Sequence, residues 1–164
     1  MNEEPKAIND IKKKVVFICT GNFYRSRYAE AYFNCKAAWK KAPYKAISRG
    51  FRVDPDLGPI STFALLRIVE RGISADCFEN RAKMLYQGDI ESNDIAICMY
   101  EKEHKPMAEI FCESVEDRII YWNIPDINEN SSNKTLDLIE KNVDNLFDTI
   151  YDKKWKSRNR EDAF

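Results

Sequence analysis

Two five-residue apolar runs, at 15–19 and 95–99, each stand ahead of a stretch with helical periodicity, and that alternation limits the fold more than any other feature. Uninterrupted apolar runs of this length are strands covered on both faces, as in a parallel sheet packed between helices. After the first run, Ala29, Tyr32, Phe33 and Ala37 recur at helical spacing. Residues 44–48 read as a weaker strand, and 54–59 as a loop by their Pro and Gly content. Ser61 can cap a helix that carries Ala64, Leu65, Ile68 and Val69 and ends at Gly72. Beyond 95–99 comes a short helix over roughly 102–112, then a strand over 118–122. After a loop at 123–133, Leu136, Ile139, Val143, Leu146, Phe147 and Ile150 mark one face of the clearest helix. Strands alternating with helices predict an α/β three-layer sandwich around a central, mostly parallel four-stranded sheet. Ligands of such sheets sit outside the C-terminal ends of the strands, beside a helix N-terminus.

The chain has 164 residues, enough for one domain, which the sequence assigns to 14–152. Residues 1–13 read as a disordered lead, and 153–164 as a charged, frayed tail. Lys and Arg number 26 against 27 Asp and Glu; that balance argues against nucleic-acid or membrane-surface binding, which needs a basic excess. A single histidine, His104, excludes His-rich metal sites, and no C-x-x-C pair is present, so neither metal nor cofactor is expected. Five cysteines (Cys19, Cys35, Cys77, Cys98 and Cys112), with no signal-peptide pattern, predict a cytoplasmic protein with reduced thiols. The expected assembly is a monomer or a weak dimer. His104, among Glu101, Lys102, Glu103 and Lys105, reads as a solvated surface residue. Trp39 and Trp155 read as packing residues, and the basic stretch at 153–158 as a solvated helix end.

The segment Cys19-Thr20-Gly21-Asn22-Phe23-Tyr24-Arg25-Ser26 carries the chemistry. Cys19 closes the first strand and Arg25-Ser26 opens the helix. Gly21 and Asn22 can take left-handed conformations that turn the loop amides inward. Inward amides at a helix N-terminus cradle an anion and favour a thiolate. Arg25 suits bidentate recognition of phosphate oxygens, and Ser26 is placed to donate to the thiolate. Thr20, Gly21, Asn22, Phe23, Tyr24, Arg25 and Ser26 are therefore the candidate phosphate-binding residues, with Cys19 as nucleophile.

This segment, followed by Ala29-Glu30-Ala31, resembles the low-molecular-weight protein tyrosine phosphatases. The likeness spans about 14–152 and includes Gly72-Ile73, Arg81-Ala82-Lys83 and Ile124-Pro125-Asp126. It implies a flavodoxin-like fold, a phosphocysteine intermediate, Asp126 as general acid and base, and a loop braced by Asn22. It also implies a phosphorylated protein or a small aryl phosphate as substrate. The chain departs from the family at several places. Tyr24 stands where many relatives have a second, protective cysteine, Tyr100 replaces an Asp, and Ile127-Asn128-Glu129 replaces Pro and ring-walling aromatics. The other wall aromatic would fall near Asp54, with Phe51 as a substitute. Bulky Phe23, where phosphoarginine-preferring members carry Thr, favours a flat aromatic ester. Two alternatives stay open: a thioredoxin-coupled arsenate reductase, which would need two further cysteines such as Cys98 and Cys112, and a non-catalytic phosphate-binding module.

Overall fold

A computed structural model describes residues 11–127 and 129–162, with side chains up to 151. The apolar run at 15–19 becomes the inner part of strand β1 (Lys13–Cys19), whose last five residues are all buried. Strands β2 (Tyr44–Gly50), β3 (Ile95–Cys98) and β4 (Ile119–Tyr121) join it in one sheet of order β2-β1-β3-β4. Every pairing is parallel. The helices are α1 (Arg25–Trp39), α2 (Thr62–Glu70), α3 (Gln87–Glu91), α4 (Glu101–Phe111) and α5 (Ser132–Asp162).

Strand alternation sorts the core into two layers. Val15, Phe17, Ile97 and Met99 face a cluster with Phe33 of α1, Ile68 of α2 and Leu136, Ile139, Val143 and Phe147 of α5. Val16, Ile18, Ala96 and Cys98 face the other side, against Ile90 of α3, Ala108 of α4, Cys112 and Val115. The three-layer sandwich and the parallel sheet are as the sequence implies, and the arrangement is the flavodoxin-like one.

Several expectations need correcting. Lys13, assigned to the lead, already belongs to β1, while residues 1–10 lie outside the described residues. Helix α5 continues through the tail to Asp162 where a frayed end is expected; the Trp155 side chain lies outside the described residues. Ser61 does cap α2, accepting from the Phe63 N–H at 3.2 Å, and Gly72 follows the helix with φ +67°. Leu65 and Val69, however, point to solvent, because α2 turns only Ala64, Arg67 and Ile68 inward. Trp39 is 80% exposed at the end of α1 rather than packed, with the Lys40 ammonium over its ring.

Candidate active site

The loop after β1 is shaped by the neighbouring strand. Cys19 and Gly50 are the last register pair of β1 and β2. Two further bonds carry the pairing past the strands, Phe51 N–H to the Cys19 carbonyl (3.1 Å) and Arg52 N–H to the Thr20 carbonyl (2.7 Å). Gly50 is required there, since a Cβ would meet the Asn22 backbone nitrogen at 2.7 Å. Of the two residues expected in the left-handed region, Asn22 adopts it (φ +48°) and Gly21 does not. Asn22 is fully buried. Its Nδ2 donates to Ser26 Oγ and to Ser48 Oγ, both at 2.9 Å, and its Oδ1 accepts from Lys83 N–H at 2.8 Å. These bonds offset the cost of left-handed backbone at a non-glycine residue.

Buried Cys19 has its Sγ 2.9 Å from Ser26 Oγ. Because that hydroxyl already accepts from Asn22, its proton is free to be donated to sulfur. Arg25, buried in the first turn of α1, donates from one amino group to the Ile124 carbonyl (3.1 Å) and from the other to Glu103 Oε2 (2.5 Å). Burial lowers the pKa of its guanidinium, but charge interaction with Cys19 and Glu103, the Glu103 hydrogen bond and Asp126 outweigh it and leave the pKa raised. Asp126 Oδ2 lies 3.8 Å from the same amino group, on a side chain 42% exposed. Its other oxygen accepts from the Ile127 N–H at 2.8 Å. The segment reaches this place because Trp122 and Ile124 donate to the carbonyls of Cys98 and Met99, both at 2.9 Å, prolonging the β3–β4 pairing.

The remaining loop residues are anchored outward. Tyr24 donates its hydroxyl to the Ser132 carbonyl at 3.0 Å, and burial, with Asp126 beside it, pushes its pKa far up. The Phe23 carbonyl accepts from Ser61 N–H at 2.8 Å, tying the start of α2 to the loop. Thr20 turns its hydroxyl toward α4, donating to Glu103 Oε2 at 2.9 Å. A cleft of about 850 Å³ lined by Arg49, Val53, Pro59, Arg81, Lys83 and Tyr86 opens beside this loop, with none of residues 19–26 in its wall.

Two expectations about side chains fail. Phe51 is not a ring wall: it is 3% exposed, packed in the second core layer and stacked on His104 with ring centroids 5.9 Å apart. His104 is not a surface residue but 0% exposed. Its Nδ1 accepts from Tyr100 N–H at 3.0 Å, which leaves the proton on Nε2, 2.6 Å from Glu103 Oε2. Ser48 and Arg27, and Glu30, which in sequence reads only as part of the helix motif, also belong to the site. Ser48 donates to buried Glu30 at 2.6 Å, and Glu30 in turn pairs with buried Arg27 at 3.3 Å, so the Asn22 network extends down α1. The available signal was position: Ser26 and Glu30 stand four apart, on one helix face. Cys98 and Cys112, the pair a reductase relay would use, are buried in the core with their thiols pushed up by burial. Burial, with Cys35 beside it, likewise pushes Cys77 up to about 11.

A thiol ending a parallel strand, with a serine hydroxyl on its sulfur and a buried arginine at the following helix N-terminus, is the construction of the cysteine-dependent phosphatases. Residues 14–157 match the model of one group of them, and the chain belongs to the low molecular weight phosphotyrosine protein phosphatase family. Sequence comparison with curated proteins finds no match. Among solved structures, the chain is similar to YfkJ from Bacillus subtilis (TM-score 0.74, 23% identity, covering 87% of this chain and 96% of that one). It is similar also to the low molecular weight protein tyrosine phosphatase of T. tengcongensis (0.71, 25%, covering 84% and 99%). A third is the YwlE arginine phosphatase of Bacillus subtilis in a Cys-to-Ser mutant with a phosphorylated active-site serine (0.72, 21%, covering 84% and 95%). Among the described residues no helix is long and apolar enough to cross a membrane.

Proposed function

We propose that the chain hydrolyses aryl phosphate monoesters of the phosphotyrosine type, on a phosphorylated protein or a small molecule, through a phosphocysteine on Cys19. The reading rests above all on one observation. Arg25 is shared between the neighbourhood of Cys19 and Asp126, whose carboxylate stands 3.8 Å from the guanidinium. A phosphate-binding arginine, a thiol and a half-exposed acid in one place are what two-step phosphoryl transfer requires.

In the first step the Cys19 thiolate attacks phosphorus in line, forming the S–P bond as the P–O bond to the leaving group breaks. Arg25 and the amides of residues 20–26 hold the equatorial oxygens. Protonated Asp126 gives its proton to the departing aryl oxygen. In the second step Asp126, now a carboxylate, takes a proton from water as the water oxygen bonds phosphorus and the S–P bond breaks. Inorganic phosphate leaves and the thiolate, held by Ser26, is restored. The scheme needs no metal ion. The phosphorylated active-site serine of the YwlE mutant supports a covalent intermediate in that relative. A cytoplasmic place of action agrees with free thiols at all five cysteines.

The test is hydrolysis of para-nitrophenyl phosphate in the presence of EDTA. Cys19→Ser should abolish turnover, and Asp126→Ala should lower kcat by about 10²–10⁴-fold, the usual worth of a positioned acid. Undiminished turnover by Cys19→Ser would overturn the reading. Phosphate binding without turnover in the unmutated chain would point to the binding module instead.

A further inference from the structure

Glu103 lies outside the loop, in the first turn of α4, and the scheme above gives it no task. Yet three donors converge on its Oε2: Arg25 at 2.5 Å, Thr20 Oγ1 at 2.9 Å and His104 Nε2 at 2.6 Å. His104 is itself immobilised, by the Tyr100 N–H on its Nδ1 and by the Phe51 ring stacked against it. A carboxylate beside an anion-binding arginine can do either of two opposite things. It can occupy the guanidinium as a plug, or it can hold the plane of the guanidinium while leaving its donors free.

The bonding pattern favours the second. Glu103 takes a hydrogen bond from one amino group and the Ile124 carbonyl takes one from the other. A guanidinium has five N–H donors, so two single contacts fix its orientation and leave three for a ligand. The carboxylate oxygen is also fully spoken for, by three donors, one each from the loop, α1 and α4. Burial by itself would raise the Glu103 carboxyl, but the His104 hydrogen bond and Arg25 hold it down at about 2, so it stays anionic through the working range of pH.

We propose that Glu103, aimed by His104, is the positioning residue for Arg25, fixing the guanidinium so that its remaining N–H groups meet phosphate oxygens. The inference rests on the assignment of Arg25 to phosphate, and not on turnover. Its sign separates it from plain electrostatics. Removing a negative charge next to an anion site should tighten phosphate binding, whereas losing the orientation of Arg25 should weaken it.

Calorimetric titration of the full chain with inorganic phosphate reads this directly, at a temperature where circular dichroism shows each variant folded. Glu103→Gln, which keeps one acceptor oxygen, should weaken phosphate binding by about tenfold, and Glu103→Ala by up to about a hundredfold, the range expected for a misoriented group. kcat/KM for para-nitrophenyl phosphate should fall in the same order. Unchanged or tighter phosphate binding in Glu103→Gln overturns the proposal, and that near-isosteric variant decides the matter if the alanine variant does not fold. His104→Phe should keep the stack on Phe51 but remove a donor from Glu103, so phosphate binding should weaken by about as much as in Glu103→Gln; unchanged or tighter phosphate binding in His104→Phe overturns the part given to His104. Phosphate bound by the unmutated chain without turnover would sink the catalytic scheme and leave this inference standing. No phosphate binding at all would sink both.

Discussion

A methyl group on residue 50 would sit 2.7 Å from the Asn22 nitrogen and 2.9 Å from its Cβ, closer than such atoms approach, and both belong to the loop that holds the chemistry. Gly50→Ala must therefore push the loop away from β2 or part the strands. We expect kcat/KM to fall by about tenfold or more and stability by about 1–3 kcal/mol, as for overpacking, read by para-nitrophenyl phosphate assay and urea unfolding. Nothing in the sequence around Gly50 announces this, since the contact joins residues far apart in the chain. Cys19, Arg25 and Ser26 were legible because their spacing lies within one turn of structure. Glu103 and His104 were not. Charged neighbours disguise them, and the only signal is a stripe of His104, Met107 and Ala108 at helical spacing, which the structure turns toward the sheet.

Helix α1 is buried all round from Arg25 to Ala31, so its first two turns show no amphipathic face, and periodicity identifies the helix only through its second half. Much of that buried start is polar, and Arg25, Ser26, Tyr28 and Glu30 each find a partner outside α1. The same holds where α1, α2 and α5 meet. Glu140 of α5 accepts from Tyr28 Oη at 2.5 Å, from Arg67 at 3.1 Å and from Arg71 at 3.1 and 3.2 Å. Burial would raise its carboxyl, but these bonds hold it below the ordinary range. Glu140→Gln should destabilise the fold by about 2 kcal/mol, because buried Arg67 loses one of its counter-charges while keeping Asp137. Urea unfolding checks the loss, and kcat of the folded variant should stay unchanged. Strand and helix order was readable from apolar spacing; these junctions were not, because charged residues at helix contacts look the same in sequence as charged residues at the surface.

Taken as one body, the chain titrates in two stages. His104 is neutral when folded, since burial holds its imidazole below the ordinary value. Its contribution is complete above the unfolded value near 6.5 and is lost as pH falls toward the folded one. Glu103, Glu140 and Glu79 are depressed in the folded state, so their contribution is present above about pH 4.5 and is lost as pH falls, toward about 2 for Glu103. Glu30, raised by burial, acts the other way: its cost is relieved as pH falls toward about 4.5, so it offsets part of the first decline and none of the second. Melting temperature should therefore decline gently below about pH 6.5 and steeply below about pH 4.5; a Tm constant from pH 7 to 3 would contradict this. One anchor has a consequence for motion. Ile124 is fully buried, donates to Met99 and accepts from Arg25, so the backbone is nailed down just two residues ahead of Asp126. The acid therefore hangs on a short tether: a shift of the Ile124 backbone carries arginine and acid together, while the carboxylate alone turns on its own side-chain torsions.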